Sequence, residues 1–175
     1  MSKAEIRRQL RTRRNALSPQ ERTAHAEAAA TVLTGSRYWR DADTIAVYLA
    51  ADGELDTNPI IRAARAENKG LFLPVILDDN SLLFREWHAD MALVVNRYGI
   101  AEPPETAHSA ELPALALVCV PLVAWDRQGT RLGMGGGFYD RTFADADSRG
   151  LLVGLGYTLQ EQTSLPRDTW DVSLD

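Results

Sequence analysis

The stretch LALVCVP at residues 115–121, followed by LVAWDRQGTRLGMGGGFYDR at residues 122–141, decides the fold of this chain. The first part is a continuous apolar run, which is typical of a strand buried on both faces of a sheet. The second part places four glycines within five residues, directly before an aromatic pair. A buried strand that leads into such a turn predicts a ligand-binding loop beyond the carboxyl end of a parallel α/β sheet.

Short apolar runs recur on both sides of this strand, and three of them predict further buried strands: TIAVYL at 44–49, LFLPVI at 71–76 and LLVGLGY at 151–157. Asn58-Pro59 has the form of a helix start between the first two runs. After the turn at residues 79–81, LLFREW at 82–87 is predicted to pair with the run before it. The alternation of strand and helix predicts a mostly parallel sheet flanked by helices.

The N-terminal segment predicts two helices. In a helix from Ala4 to about Leu17, spacings of four, four and three place four cations on one face, beside an apolar face: Lys3, Arg7, Arg11 and Arg14. Ser18-Pro19-Gln20-Glu21 has the form of a capping box with proline at the first helical position. A second helix is therefore predicted from there to about Leu33.

The composition excludes several classes of protein. The 175 residues are 45% hydrophobic and 25% charged, which are ordinary values for a globular chain with a core. No apolar run approaches the roughly 18 residues of a membrane-spanning helix, and the N-terminal residues lack the apolar stretch of a secretory signal. The single cysteine, Cys119, cannot form an internal disulfide. A cytoplasmic protein without a membrane partner is therefore expected, with Cys119 in the core.

The net charge of −5 is unevenly distributed along the chain. Residues 1–22 contain seven cations and two anions, so the rest of the chain carries a net charge of −10. A basic segment on an acidic body is poorly suited to wrapping nucleic acid, and no nucleic-acid partner is expected. Local capture of one small anion is favoured. Nucleic-acid binding through the basic helix is the alternative, which salt-dependent retention on RNA would reveal.

The glycine-rich segment has the properties of a phosphate-binding loop. Its four glycines allow the backbone to direct N–H groups at an anion, and a helix that follows would direct its N-terminus at the same anion. Arg131 is placed to add a bidentate contact. Asp140 would repel a phosphate directly, but it suits a Mg²⁺ ion that bridges carboxylate and phosphate. The segment matches neither GxxxxGK[ST] nor GxGxxG, and a glycine-rich turn without a ligand is the alternative.

Several segments together resemble one known family. RLGMGGGFYDR, preceded by VPLVAWDRQG, is similar to the signature loop of the 5-formyltetrahydrofolate cyclo-ligases, also called 5,10-methenyltetrahydrofolate synthetases. The spacing of Lys3 and Arg7, YLAADGELDT at 48–57 and the closing segment at 154–175 match the same family in the same order. The resemblance implies one domain, residues 1–175, with a three-layer Rossmann-like α/β sandwich: a mostly parallel sheet with helices on both faces. The expected assembly state is a monomer.

The resemblance implies an enzyme that uses ATP and Mg²⁺. Family members close 5-formyltetrahydrofolate to 5,10-methenyltetrahydrofolate and release ADP and phosphate. The γ-phosphoryl group is transferred to the formyl oxygen, and N10 of the folate then attacks the activated carbon. The alternative is a family member that binds folate and nucleotide without catalysis, which the departures from the family pattern at Met134, Phe138 and Trp170 would favour.

The resemblance also assigns the site residues, position by position. ATP would contact the first helix and the glycine-rich loop: Lys3, Arg7, Arg131, Leu132, Gly133, Met134, Gly135, Gly136, Gly137, Phe138 and Tyr139. The folate would contact the carboxylate of one turn and part of the same loop: Glu54, Met134, Gly135, Gly136, Gly137 and Phe138. Arg131 and Asp140 would be catalytic, and Asp140 and Asp171 would hold Mg²⁺.

Two of these assignments, and the role of Trp125, leave alternatives open. Glu54 follows Asp52-Gly53 and is otherwise an ordinary surface acid of a turn. Asp171 follows Trp170, where the family usually has a histidine, so its role rests on a partial match. Trp125, in place of the usual phenylalanine, either packs beside the pterin or fills the core.

Overall fold

A six-stranded sheet forms the centre of the computed structural model, which describes residues 1–144 and 149–175. In spatial order its strands are β10 (Leu151–Leu155), β7 (Leu117–Pro121), β1 (Thr44–Ala46), β2 (Gly70–Ile76), β3 (Leu82–Glu86) and β6 (Ser109–Ala110). The first four run parallel to one another, β3 pairs antiparallel with β2, and β6 pairs antiparallel with β3. The predicted α/β fold class with a mostly parallel sheet is confirmed.

Strand β1 is shorter than the apolar run that predicted it. The backbone ladder covers only three residues, because the chain beyond Val47 takes its hydrogen bonds from its own loop. The Thr57 hydroxyl donates to the Tyr48 carbonyl at 2.6 Å, and the Tyr48 hydroxyl donates to the Leu55 carbonyl at 2.9 Å. The segment after β1 is thereby turned away from the sheet toward the end of the molecule where the candidate site lies.

Within residues 1–144 and 149–175, five α-helices accompany the sheet: α1 (Lys3–Asn15), α2 (Pro19–Thr34), α3 (Arg37–Asp41), α4 (Asn58–Ala66) and α5 (Phe138–Thr142). The predicted boundaries of α1 and α2 agree within about two residues, since side chains cap both helices. Ser18 and Glu21 form the expected capping box before α2, and Ser2 and Glu5 form a second one before α1. The caps satisfy backbone N–H groups that have no partner within a helix.

Outside the central sheet, the described residues also form two short hairpins: β4 (Val94–Val95) pairs with β5 (Ala101–Glu102), and β8 (Ala124–Trp125) pairs with β9 (Arg131–Leu132). The second hairpin follows β7 directly, so it carries the chain from the sheet into the glycine-rich loop. In the described part of the chain, no helix is both long and apolar enough to cross a membrane.

Apolar side chains fill both faces of the sheet. On one face, α2, α3 and α4 contribute Leu33, Trp39, Ile60 and Ile61 to a cluster that also holds Cys119. Burial raises the pKa of the Cys119 thiol to about 12, which agrees with the expected core position. On the other face the covering layer is thin: Phe143 after α5, together with the partly buried Val172 and Leu174, packs against the strands.

Candidate active site

A cleft of about 1390 Å³ opens beyond the carboxyl ends of β1, β2 and β7. All of the residues assigned by resemblance line it: Lys3, Arg7, Glu54, Arg131, Leu132, Gly133, Met134, Gly135, Gly136, Gly137, Phe138, Tyr139, Asp140 and Asp171. The rest of the wall comes mainly from residues 48–52, 99–101 and 167–173. Segments that are far apart in the sequence are thus brought together at the sheet edge where ligands of parallel α/β proteins bind.

Two cations of the basic face of α1, Lys3 and Arg7, line this cleft. The Arg7 Nε donates to the carbonyl oxygen of Gly133 at 2.8 Å, which connects the helix to the glycine-rich loop. The Lys3 Nζ lies 2.8 Å from Asp168 Oδ2 and 2.7 Å from Asp171 Oδ2, which connects the helix to the C-terminal segment. Arg8 and Arg13, by contrast, are exposed to solvent.

Arg131 and Asp140 form a partly buried ion pair in the wall of the cleft. The Arg131 side chain is 4% exposed, and its Nη2 lies 2.8 Å from Asp140 Oδ1. The backbone N–H of Val172 donates to the same oxygen at 3.1 Å. Arg131 Nε is buried and has no hydrogen-bond partner among the described residues. A buried guanidinium with an unused donor beside a cleft is suited to an anionic ligand.

Asp171 is held in its charged form by its neighbours. Burial opposes ionisation, but the backbone N–H of Asp168 and the ammonium of Lys3 both donate to the carboxylate, and together they hold the pKa of Asp171 below its ordinary value. All of these hydrogen bonds use Oδ2, just as those of Asp140 use Oδ1. Each carboxylate therefore keeps one oxygen that is not engaged by the described residues.

These two carboxylates suit a magnesium ion that is shared with phosphates. Among the described residues, no group of three or more His, Cys, Asp or Glu side chains is arranged to hold a metal. Mg²⁺ in nucleotide sites is commonly bound by one or two carboxylates, with the remaining ligands supplied by phosphates and water. The residues present fit that donor set.

Glu54 lines the cleft at the end of a tight turn. Asp52 and Gly53 both have positive φ, +48° and +74°, and the Ala51 N–H donates to Glu54 Oε2 at 3.1 Å. Burial raises the pKa of Glu54, whereas the Ala51 N–H and the Arg14 guanidinium lower it. The sequence left open whether Glu54 is an ordinary surface acid of a turn. A half-buried carboxylate that lines a cleft is better placed to bind a ligand than an exposed one.

The glycine-rich loop adopts backbone angles that only glycine adopts readily. Gly135 has a φ of +106°, and the guanidinium of Arg7 would lie 3.5 Å from a β-carbon at this position. Gly137 has a φ of +68° at the start of α5. That helix is only five residues long, so the loop, rather than an extended helix, provides most of the N–H groups at this end of the cleft.

We expect Gly135→Ala to lower the free energy of unfolding by about 1–3 kcal/mol, because the alanine must occupy a strained backbone region. Gly133→Ala is the matched control, since its β-carbon would meet nothing within 4 Å and its φ is not positive. The control should change stability by no more than about 0.5 kcal/mol. Thermal unfolding monitored by circular dichroism compares the two variants, and equal losses would contradict the loop geometry.

Sequence reasoning missed several contributors to the site. Arg14, which the sequence placed on the basic face of α1 without assigning it a role, is fully buried. Asp168 engages Lys3 without any motif that marks it. The residues at 99–101 come from a segment without clear periodicity. Trp125, left open from the sequence, does not line the cleft: its indole N–H donates to the Tyr157 carbonyl at 3.2 Å.

Comparisons with known proteins identify relatives over the length of the chain. The model of the 5-formyltetrahydrofolate cyclo-ligase family matches residues 1–175. The 5-formyltetrahydrofolate cyclo-ligase of Escherichia coli (strain K12) is 38% identical over 169 residues, which cover 94% of this chain and 93% of the relative. The protein of the same name from Haemophilus influenzae is 40% identical over 139 residues, which cover 77% of this chain and 74% of the relative.

Solved structures show the same fold. The NMR structure of the 5,10-methenyltetrahydrofolate synthetase from Aquifex aeolicus aligns with a TM-score of 0.86 at 32% identity, over 100% of this chain and 88% of that chain. The 5,10-methenyltetrahydrofolate synthetase from Mycoplasma pneumoniae aligns with a TM-score of 0.79 over 100% of this chain and 96% of that chain. Its identity is 21%, so this second likeness supports the fold alone.

Proposed function

Because this chain belongs to the 5-formyltetrahydrofolate cyclo-ligase family and is a ligase of folate metabolism, we propose that it closes 5-formyltetrahydrofolate to 5,10-methenyltetrahydrofolate at the expense of ATP. The observation that carries the proposal is the cleft itself. It brings a basic helix, a glycine-rich loop, two carboxylates and Glu54 to one place. The first three suit a metal-bound triphosphate, and Glu54 suits the N–H donors of a pterin.

The proposed reaction needs ATP because a formamide oxygen is a poor leaving group. Transfer of the γ-phosphoryl group to the formyl oxygen breaks the bond to ADP and forms an iminium phosphate. The N10 amine of the same folate then attacks the formyl carbon and releases its proton to solvent, and inorganic phosphate leaves with the former formyl oxygen. The protein supplies no covalent nucleophile in this scheme; its task is positioning and charge stabilisation.

The phosphates are assigned to the cationic side of the cleft. Lys3 and Arg7 are one helical turn apart, so both reach one triphosphate, and the backbone of residues 131–139 encloses it. Arg131 would stabilise the negative charge of the phosphoryl group during transfer. Phe138 and Met134 would provide the apolar surface shared by nucleotide and folate.

Asp140 and Asp171 would hold the metal, since each carboxylate keeps an oxygen that the described residues do not engage. When bound with ATP, Mg²⁺ supplies positive charge that offsets the charge of the phosphates. Lys3, whose Nζ lies 2.7 Å from Asp171 Oδ2, would be within reach of the same phosphates. Arg131 holds Asp140 in position through the ion pair at 2.8 Å.

The folate is assigned to the wall formed by Glu54 and residues 134–138. A carboxylate accepts hydrogen bonds from both the ring amide and the exocyclic amine of a pterin. Since only the charged form accepts both, binding through Glu54 is expected to weaken as the pH falls through its pKa. Burial raises that pKa above its ordinary value, which places the weakening at a higher pH than for an exposed glutamate.

Two alternatives receive less support. A non-catalytic binding role, suggested by the departures at Met134, Phe138 and Trp170, leaves the paired Arg131 and Asp140 without a purpose in the cleft. Nucleic-acid binding through α1 is disfavoured because Lys3 and Arg7 are turned toward the cleft rather than toward solvent. We further propose a monomeric, cytoplasmic enzyme without nucleic-acid or membrane partners.

A coupled turnover assay tests the proposal. Purified protein incubated with 5-formyltetrahydrofolate and Mg-ATP is expected to form the methenyl product and ADP in a one-to-one ratio. Omitting ATP or adding a metal chelator should abolish both signals. Folded protein that binds both ligands by calorimetry without turnover would support the non-catalytic alternative, and folded protein that binds neither would reject the assignment.

A further inference from the structure

One cation of α1 has no solvent exposure at all. The Arg14 side chain is 0% exposed, whereas its neighbours Arg11 and Arg13 reach solvent. Taking a guanidinium out of water is costly unless hydrogen bonds and a countercharge compensate it. The contacts that offset the cost of burying Arg14 therefore indicate what this cation does.

Arg14 binds three segments that line the cleft. Its Nε donates to the Asp52 carbonyl at 2.9 Å, and its Nη2 lies 3.0 Å from Asp52 Oδ2. Its Nη1 donates to the Leu122 carbonyl at 3.2 Å, directly after β7. Its Nη2 also lies 3.9 Å from the Met134 sulfur in the glycine-rich loop. The Arg14 guanidinium thus connects the turn at 50–54, the end of β7 and the glycine-rich loop.

The turn that Arg14 holds is the one that carries Glu54. Asp52 accepts from Arg14 through both its backbone and its side chain, and it has the strained φ of +48°. Asn15 Nδ2 also donates to the Asp52 carboxylate at 3.2 Å. These contacts fix the turn against α1, which in turn is bound to the glycine-rich loop through Arg7. The position of Glu54 relative to that loop therefore depends on Arg14.

Arg14 also contributes to the electrostatic environment of Glu54. Burial raises the pKa of Glu54 and the carboxylate of Asp52 adds to this, whereas Arg14 lowers it. The other titratable groups that face Glu54 are the phenols of Tyr48, Tyr139 and Tyr157. Burial raises the pKa of all three phenols, so they are neutral near pH 7. The Arg14 guanidinium is thus a cation that favours the charged form of Glu54.

We propose that Arg14 is a positioning residue. It holds the turn at 50–54 against the glycine-rich loop, so that the pterin bound by Glu54 and the phosphates of ATP are correctly aligned for phosphoryl transfer. The inference rests on the proposed function. Neither ligand contacts Arg14, which acts only through Asp52, Leu122 and Met134. Its loss should therefore affect folate binding and alignment more than the binding of ATP.

Arg14→Gln and Arg14→Lys test the proposal together. Both remove the planar guanidinium and its set of hydrogen bonds, so both should raise the KM for 5-formyltetrahydrofolate by about 10- to 100-fold. The KM for ATP should change much less. The two variants differ in charge. Arg14→Gln should move the acid limb of the kcat/KM profile to higher pH, because the pKa of Glu54 rises further without the cation. Arg14→Lys should leave that limb nearly in place.

Arg11→Gln is the matched control. Arg11 lies one turn earlier on the same helix and contacts the same Asp52 carboxylate at 2.7 Å, but it is 44% exposed. Exposed ion pairs contribute at most about 1 kcal/mol, so its KM values should change by about fivefold or less. In a Glu54→Gln background, Arg14→Gln should no longer move the acid limb.

The outcomes separate the possible failures. A purely structural Arg14 would give variants with lower unfolding temperatures but unchanged KM values and pH profiles, which would overturn the proposal. If Arg14→Gln does not fold, the folate KM of Arg14→Lys decides the question alone, because that variant keeps the buried charge. Wild-type protein that binds folate but does not turn over would contradict the proposed function, and folate affinity of the Arg14 variants would then replace KM as the readout.

Discussion

Asp140→Asn is expected to slow formation of the methenyl product by about 10²- to 10³-fold, the usual cost of removing one group that stabilises charge in a transition state. The substitution removes the negative charge but keeps the shape of the side chain. The amide oxygen still accepts from Arg131 and from the Val172 N–H, which both use Oδ1. The variant therefore isolates the loss of charge from the loss of hydrogen bonds.

The same substitution has a predictable cost in stability. The Arg131 side chain is 4% exposed and Asp140 is 20% exposed, so the guanidinium loses its countercharge in a partly buried place. Because two hydrogen bonds remain, we expect a loss of about 1–2 kcal/mol rather than the larger loss that follows when a buried pair is broken outright. Thermal unfolding should show a folded protein with a lower midpoint, and activity is compared well below it.

Asp168→Asn is the control for Asp140→Asn. It removes the same charge from the same cleft, but the Asp168 side chain is 47% exposed and its ion-pair partner is Lys3. We expect a change of about fivefold or less in turnover. Titration with Mg²⁺ at saturating ATP provides the second readout. An unchanged magnesium dependence in Asp140→Asn would show that the carboxylate does not hold the metal.

Arg131→Ala is expected to reduce kcat by about 10²-fold and to raise the concentration of ATP that the enzyme requires. The guanidinium is fixed before any ligand arrives, through its pair with Asp140 and through its position 5.9 Å from the centre of the Tyr139 ring. Preorganised charge of this kind stabilises a transition state without reorganisation during the reaction. Single-turnover measurements of ADP formation follow the phosphoryl transfer itself, and wild-type kinetics would refute the assignment.

Arg127→Ala provides the comparison for Arg131→Ala. Both arginines belong to the segment of β8, β9 and the turn between them, but the Arg127 side chain is 77% exposed and pairs with Glu161, outside the cleft. Its removal should leave kcat and both KM values nearly unchanged. Combining Arg131→Ala with Asp140→Asn should cost less than the product of the two single effects, because the residues contact each other and act as a unit.

Helices and strands that are encoded by a local sequence pattern could be predicted from the sequence. The apolar run at 115–121 became a central strand, and the capping box at Ser18 became the start of α2. The hairpin at 94–102 was not predicted from the sequence, because its two strands have only two residues each. Two residues are too few to display a period, and the exposed Val94 and Val95 obscure any apolar alternation.

The site was predicted only in part, for a related reason. Glycines clustered next to Arg131 and Asp140 carry their chemistry in residue type and spacing, so they were recognisable without coordinates. Arg14 was not, since nothing in its sequence context separates a buried arginine from the exposed Arg13 beside it. The same holds for Asp168, whose contact with Lys3 spans 165 residues of sequence.

The order of residues alone was enough to predict the class of fold, the glycine-rich loop to which phosphate binding is assigned, and the family to which the chain belongs. These features are encoded locally, in apolar runs, helix caps and a dense group of glycines. Only the tertiary structure decided which charges meet: that Lys3 pairs with Asp171, that Arg131 pairs with Asp140, and that Arg14 is buried beneath the turn of Glu54. Such pairs form between distant segments, and their energy depends on distance and burial, which the order of residues does not specify.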